Sequence, residues 1–396
     1  MTQSEIQQIS SSHRTPFYLY DMDVLDKTIS ELKKTVSVNP KFRIHYAMKA
    51  CYESPVLHKI QRAGFGIDAV SGGEILKAID HGFKPSQIIF AGVGKTDEEI
   101  NLALDLQIGC FNVESLPELE VISQLASQKD VKAHIALRVN PEIDAHTHHY
   151  ITTGLAENKF GINLCQLDEA IAKSLSSPNI DLVGLHFHIG SQITIVEPFV
   201  LLCQKINAIV AQLFERGINL ESIDLGGGFG IEYDDTSKNE IAQLSHFFST
   251  INRYLDTSHI QEVIFEPGRA IVGVCGHLIS RILFVKEGVQ RTFVILDAGM
   301  TELIRPALYG ARHPIRNITG DLRKDAPRQV DIVGPVCESS DCFGCDYVIA
   351  NPKRGDIVSI DSAGAYGHVM ASHYNARQLF PSVFYSQGKE ILPSCH

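Results

Sequence analysis

Along the first two thirds of the chain, short apolar runs alternate with longer stretches whose apolar residues recur at helical spacing. The runs predict strands at Arg43–Met48, Gly66–Val70, Gln87–Ala91, Gly109–Val113, Lys132–Val139, Asp181–His188, Ser222–Leu225 and Glu262–Phe265. Helical patterns fill the intervals, as at Gly73–Ile79, Asp97–Leu104 and Phe199–Phe214. Eight strands with crossover helices are the arithmetic of a (β/α)8 barrel. A doubly wound open sheet is the rival, but its nucleotide fingerprint belongs near the first strand and is missing there.

Near Gly273 the rhythm breaks. Runs at Gly276–Val285, Thr292–Leu296, Val330–Val333, Asp356–Ile360 and Ser382–Tyr385, separated by turns such as Lys286-Glu287-Gly288, predict a mostly antiparallel β-domain. An aromatic run at Pro16–Tyr20 precedes a helical stretch from Asp23 to Val36. The expected organisation is therefore an N-terminal segment, 1–35, lending a strand to the β-domain, then the barrel, 36–273, then the β-domain, 274–396.

Composition narrows the function. A chain of 396 residues with 44% hydrophobic content has room for a full core. Its net charge of -11 argues against a nucleic-acid partner. No apolar run approaches the ~20 residues of a membrane span. The polar start Thr2-Gln3-Ser4-Glu5 is unlike a signal peptide, and nine scattered cysteines, an odd number, fit reduced thiols. A cytoplasmic enzyme with a small-molecule substrate is expected.

Barrel enzymes keep their chemistry at the C-terminal strand ends. The first strand delivers Lys49, whose amine, desolvated at such a rim, could capture an aldehyde; pairing with a carboxylate is the alternative. The sixth ends in His186-Phe187-His188-Ile189-Gly190-Ser191-Gln192, and a flat imidazole at His188 could stack on a planar ring. The seventh ends in Asp224-Leu225-Gly226-Gly227-Gly228, where backbone N–H groups could meet a phosphate or merely form a tight turn. The eighth ends in Glu266-Pro267-Gly268-Arg269, whose two charges could pair together or face a ring nitrogen and an anion. Together these are the inventory for pyridoxal phosphate.

On these motifs the chain resembles the fold-type III pyridoxal-phosphate enzymes, with an alanine-racemase-like barrel. The branch it most resembles decarboxylates meso-2,6-diaminopimelate to L-lysine and carbon dioxide, the last step of lysine biosynthesis. Further marks are Asp297-Ala298-Gly299-Met300, Arg305-Pro306-Ala307-Leu308-Tyr309, Gly334-Pro335-Val336-Cys337-Glu338-Ser339-Ser340-Asp341 and Gly364-Ala365-Tyr366-Gly367. The resemblance spans about Thr15 to Phe384. It implies Lys49 as the Schiff-base lysine, His188 on the cofactor ring and Glu266 at the pyridine nitrogen. Ser191, Gly226, Gly227, Gly228, Gly268 and Arg269 would surround the phosphate, with Tyr366 reaching phosphate and substrate. Arg269, Arg305, Tyr309 and Glu338 would hold the substrate, and Cys337 would donate a proton from the partner subunit of a homodimer. Decarboxylases of carboxynorspermidine, ornithine, lysine or a carrier-linked amino acid are the neighbouring activities, and a non-catalytic cofactor carrier is the alternative from another class.

Some positions depart from the family pattern. Cys51 stands where asparagine is common, and 311–314 and 366–373 carry unusual basic residues, with Arg312 and His368 close in sequence to the implied substrate groups. Cys337, Cys342 and Cys345 have zinc-like spacing, but no fourth ligand is indicated, so no metal is expected.

Overall fold

The computed structural model describes residues 1–143, 159–233 and 243–391. It divides into two compact units, one of Ile29–Gly230 and Gln243–Gly268, the other of Met1–Thr28, Ile231–Ala242 and Arg269–His396. Among the described residues no helix is long and apolar enough to cross a membrane.

Eight strands close the larger unit into a ring: Phe42–Ala47, Gly66–Ala69, Ile88–Phe90, Cys110–Val113, Ala133–Asn140, Ile180–His186, Ser222–Asp224 and Glu262–Phe265. Each is parallel to both neighbours, and Val263 opposite Phe42 joins the eighth to the first. This is the expected (β/α)8 barrel. Its strands are apolar on both faces because helices cover the outside and side chains fill the inside, so Ile88, Ile89 and Phe90 are all buried.

The helices start where the sequence places caps. Ser71, Thr96 and Ser115 follow the second, third and fourth strands, and each side chain accepts from the N–H three residues on, at Glu74, Glu99 and Glu118. Each cap contributes about 1 kcal/mol and turns the chain sharply at the rim. After the seventh strand Phe229 does similar work by packing. Its ring stacks on Phe199 at 4.9 Å and on Phe248 at 5.4 Å, so the glycine turn just before it is anchored in the core.

The smaller unit holds a nine-stranded mixed sheet. Its longest strand, Gly276–Glu287, pairs antiparallel with Phe17–Asp21, Thr292–Leu296 and Ile357–Ile360. Two pairings are parallel, Phe17–Asp21 with Val383–Ser386 and Thr292–Leu296 with Pro327–Val333. The helix Gln3–Ser12 lays Ile6 and Ile9 against Phe17, Leu19, Ile279 and Val383. Three strands the sequence did not announce, Ile315–Asn317, Cys342–Ala350 and Lys389–Ile391, complete it.

One buried carboxylate braces this unit. Asp361 accepts from Ser359 Oγ at 2.6 Å, His277 Nδ1 at 2.8 Å and Arg316 Nε at 2.7 Å. Burial alone would raise its carboxyl, but His277 and Arg316 outweigh burial and hold it well below the ordinary value of 3.8. Its contribution is therefore full above pH 3.8 and is lost as pH falls through the lower folded value. Asp361→Ala is expected to destabilise the protein by about 3 kcal/mol at neutral pH, because it leaves the Arg316 guanidinium and the Ser359 and His277 side chains without their shared acceptor; the lower end applies since Arg316 stays partly solvated. Urea unfolding at pH 7 checks this.

Candidate active site

The first barrel strand runs into a short helical turn, Met48–Ala50, which carries Lys49 at the rim. Its Nζ lies 3.0 Å from Oδ2 of Asp68, at the end of the second strand. Asp68 is fully buried, and burial, then the nearby Glu266 charge, pushes its carboxyl up to about 6 despite the lysine. An amine beside a carboxyl group that titrates near neutrality can exchange protons with it. Gly268 packs beneath this turn, where a Cβ would come within 3.0 Å of Ala47 and Ala50.

Glu266, beyond the eighth strand, is the negative centre. Burial would raise its carboxyl, but the His186 and Lys49 charges outweigh burial and hold it below the carboxylate range. His186 Nε2 lies 3.3 Å from Oε2, and Asn112 Nδ2 donates to Oε1 at 3.4 Å. The adjacent Asp224 is pushed well above the carboxylate range by burial and by Glu266. Two acids so close cannot both ionise, so the charge resides on Glu266 and the proton on Asp224. His186, Asp224 and Glu266 bring candidate donor atoms within 4.8 Å of one another. Among the described residues no such grouping forms at Cys337, Cys342 and Cys345.

The glycine turn presses against both neighbouring strand tips. A Cβ on Gly226 would meet Phe187 O at 2.4 Å, and one on Gly227 would meet Glu266 O at 2.3 Å. Two of the three amides point inward: Gly226 N–H donates to Asp224 Oδ1 at 2.8 Å and Gly227 N–H to His188 Nδ1 at 3.2 Å. What the turn offers an anion is thus close backbone approach, with the Gly226 and Gly227 amides already engaged within the protein. Burial, then the Arg138 and Lys49 charges, lowers His188 well below its ordinary value. The ring is neutral, and with Nδ1 accepting, its proton sits on Nε2. Ser191 lies half-buried on the following turn.

The smaller unit gathers a second group. Arg269 opens the helix Arg269–Val272 and Arg305 opens Arg305–Tyr309; both side chains are buried. Each donates through Nη1 to one hydroxyl, Tyr233 Oη, at 2.9 and 3.0 Å. Burial would raise the Tyr233 phenol, but the two guanidiniums outweigh it and lower the phenol. Arg269 also sits 5.0 Å over the ring of Tyr366, which holds a left-handed backbone at φ 56°. Tyr309 is half-buried at the end of the Arg305 helix.

Cys337 and Glu338 stand apart within this unit, on an exposed loop, 334–341. The Asp341 carboxylate braces that loop from inside by accepting from Val336 N–H and Met300 N–H, each at 2.6 Å. Tyr374 Oη donates to Glu338 Oε1 at 2.6 Å. Sequence reasoning missed Asp68, Asp224, Tyr233 and His313. An acid within a strand buried on both faces was the available signal for Asp68.

A family model described as pyridoxal-dependent decarboxylase, pyridoxal binding domain, matches residues 25–273. The chain belongs to this decarboxylase family. It is 49% identical to the diaminopimelate decarboxylase of Bacteroides thetaiotaomicron over 92% of this chain and 94% of that one. The Vibrio cholerae diaminopimelate decarboxylase is 39% identical over 98% and 92% of the two chains. Among solved structures, the Helicobacter pylori diaminopimelate decarboxylase complexed with L-lysine superposes with a TM-score of 0.90 at 40% identity, covering 98% of this chain and 95% of that one. The family cofactor is pyridoxal phosphate, and the barrel's residues fit it. An amine, a neutral imidazole, a glycine turn a Cβ would fill and a stabilised buried anion occupy neighbouring strand tips.

Proposed function

We propose that this decarboxylase removes the D-centre carboxyl group of meso-2,6-diaminopimelate, releasing carbon dioxide and L-lysine in the last step of lysine biosynthesis. The observation that carries the choice of substrate is the buried pair Arg269 and Arg305. Among the described residues Arg305 bonds to Tyr233 and His313, neither of them a carboxylate. Two guanidiniums on one phenol call for an anion, and a substrate that keeps a carboxylate far from the reacting carbon supplies it. Ornithine and lysine have no such second carboxylate.

Pyridoxal phosphate, when bound, supplies an electron sink for the pair left as carbon dioxide departs. Lys49 is the amine that would anchor its aldehyde, with Asp68 placed to take or return the proton at Nζ. Glu266 would keep a proton on the ring nitrogen, and His188 would face the ring. Ser191, Gly226, Gly227, Gly228 and the Gly268-Arg269 backbone would hold the phosphate, together with Tyr366. Tyr309 and Arg305 hold the remote end of the substrate. Cys337 delivers the proton that replaces the lost carboxyl group, and Glu338 faces the remote ammonium. Exposure of those two side chains supports their projection into a neighbouring copy's site, as a homodimer with shared active sites requires. A cytoplasmic location would suit the free thiols of the described cysteines.

Carbon dioxide release should favour meso-diaminopimelate over lysine, ornithine and carboxynorspermidine by a factor on the order of a hundred in kcat/KM. That is the effect of leaving a buried guanidinium without its anion, about 3 kcal/mol. Equal rates for lysine would overturn the substrate. Mixing inactive Lys49→Ala and Cys337→Ala subunits should restore about a quarter of wild-type activity, because one site in each mixed dimer has both groups intact. No recovery after subunit exchange would contradict shared sites.

A further inference from the structure

We propose that His313 and Tyr233 are positioning residues for substrate recognition, which lock Arg305 so that only its Nε–Nη2 edge meets the substrate's remote carboxylate. This rests on the reading of Arg305 as the anchor of that carboxylate.

The geometry is specific. Nη1 of Arg305 has two hydrogens, and both are engaged: one reaches Tyr233 Oη at 3.0 Å, the other His313 Nε2 at 2.9 Å. A guanidinium can receive a carboxylate end-on through both Nη atoms or side-on through Nε and Nη2. With Nη1 committed to the protein, the end-on mode is closed and the side-on edge remains. The plane of the guanidinium is then set by two fixed acceptors rather than by the substrate, so little side-chain entropy is lost on binding.

Each acceptor is itself fixed. His313 is buried and its Nδ1–H donates to Asp361 O at 2.9 Å, which forces the lone pair onto Nε2, where Arg305 needs it. Burial, then the Arg305 charge, lowers the ring to about 3, so it accepts throughout the neutral range. Tyr347 Oη donates to His313 O at 2.6 Å and holds the backbone. Tyr233 meets His313 edge-on at 5.2 Å and takes Arg269 on its remaining side, tying the two cations at a set spacing. Asp361, pinned by Arg316 and His277, anchors the arrangement to the sheet.

The test uses the holoenzyme. His313→Phe is expected to raise KM for meso-diaminopimelate and weaken L-lysine binding by calorimetry, each about ten- to a hundredfold, the effect of losing one charged hydrogen bond. The kcat value and the affinity of the apoenzyme for pyridoxal phosphate should stay within about threefold. His313→Gln, which keeps an acceptor, should restore L-lysine binding. Tyr233→Phe, which keeps the ring volume, should weaken L-lysine about tenfold, and it carries the test should His313→Phe not fold. Unchanged L-lysine affinity in His313→Phe or Tyr233→Phe overturns the inference, as does an equal loss of L-lysine and pyridoxal phosphate affinity in His313→Phe. Arg305→Gln separates the two levels. If it weakens L-lysine while His313→Phe does not, only the positioning role fails; if it leaves L-lysine unaffected, the anchor reading fails too.

Discussion

Lys49→Ala should lower turnover on the order of 10^4-fold or more, the largest effect of any single change. Lys49 is the amine that the first barrel strand delivers to the rim, 3.0 Å from a carboxyl group titrating near 6. On the proposed role, the cofactor would then lack its covalent anchor, and Asp68 would face no amine with which to trade a proton. The visible band near ~420 nm expected of the lysine-linked cofactor should vanish. Borohydride treatment should fix pyridoxal phosphate to the wild-type chain and leave the variant unlabelled. A variant that keeps both the band and the label would place the link on another lysine.

Glu266→Gln should lower kcat roughly a thousandfold while the visible band survives. The substitution preserves volume, removes the charge and exchanges one of the two acceptor oxygens for an N–H donor. That charge is costly to bury, and His186 and Lys49 hold it in place while Asp224 retains a proton beside it. An anion so defended serves to keep a cation opposite it. On the proposed roles, removing the anion would leave the ring nitrogen unprotonated and weaken the electron sink without disturbing the lysine link. Loss of the band together with activity would instead assign Glu266 to cofactor binding.

Much of this site was legible because a parallel barrel brings the ends of all its strands to one rim. Lys49, His188, the glycines and Glu266 are far apart in sequence, but each follows a strand recognisable from its apolar run. The strand after residue 341 was not legible. Gly344 and Asp346 take positive φ and the register shifts there, so Cys342-Phe343-Gly344-Cys345-Asp346 lacks a period-two pattern and imitates a metal motif. Tyr233 and His313 gave no pattern at all, since their meeting at Arg305 depends on two loops folding onto the start of a helix. His313 did lie in a segment flagged for unusual basic residues. The inward turn of the Gly226 and Gly227 amides was likewise beyond composition, because a glycine run reports conformational freedom and not direction.

In the proposed reaction carbon dioxide leaves one centre while the other carboxylate stays bound. Turnover of meso-diaminopimelate in deuterated water, with the products followed by NMR, tests this directly. One carbon dioxide per L-lysine is predicted, with a single deuteron on the carbon that lost its carboxyl group. Appearance of cadaverine, or deuterium exchange without carbon dioxide release, would contradict it.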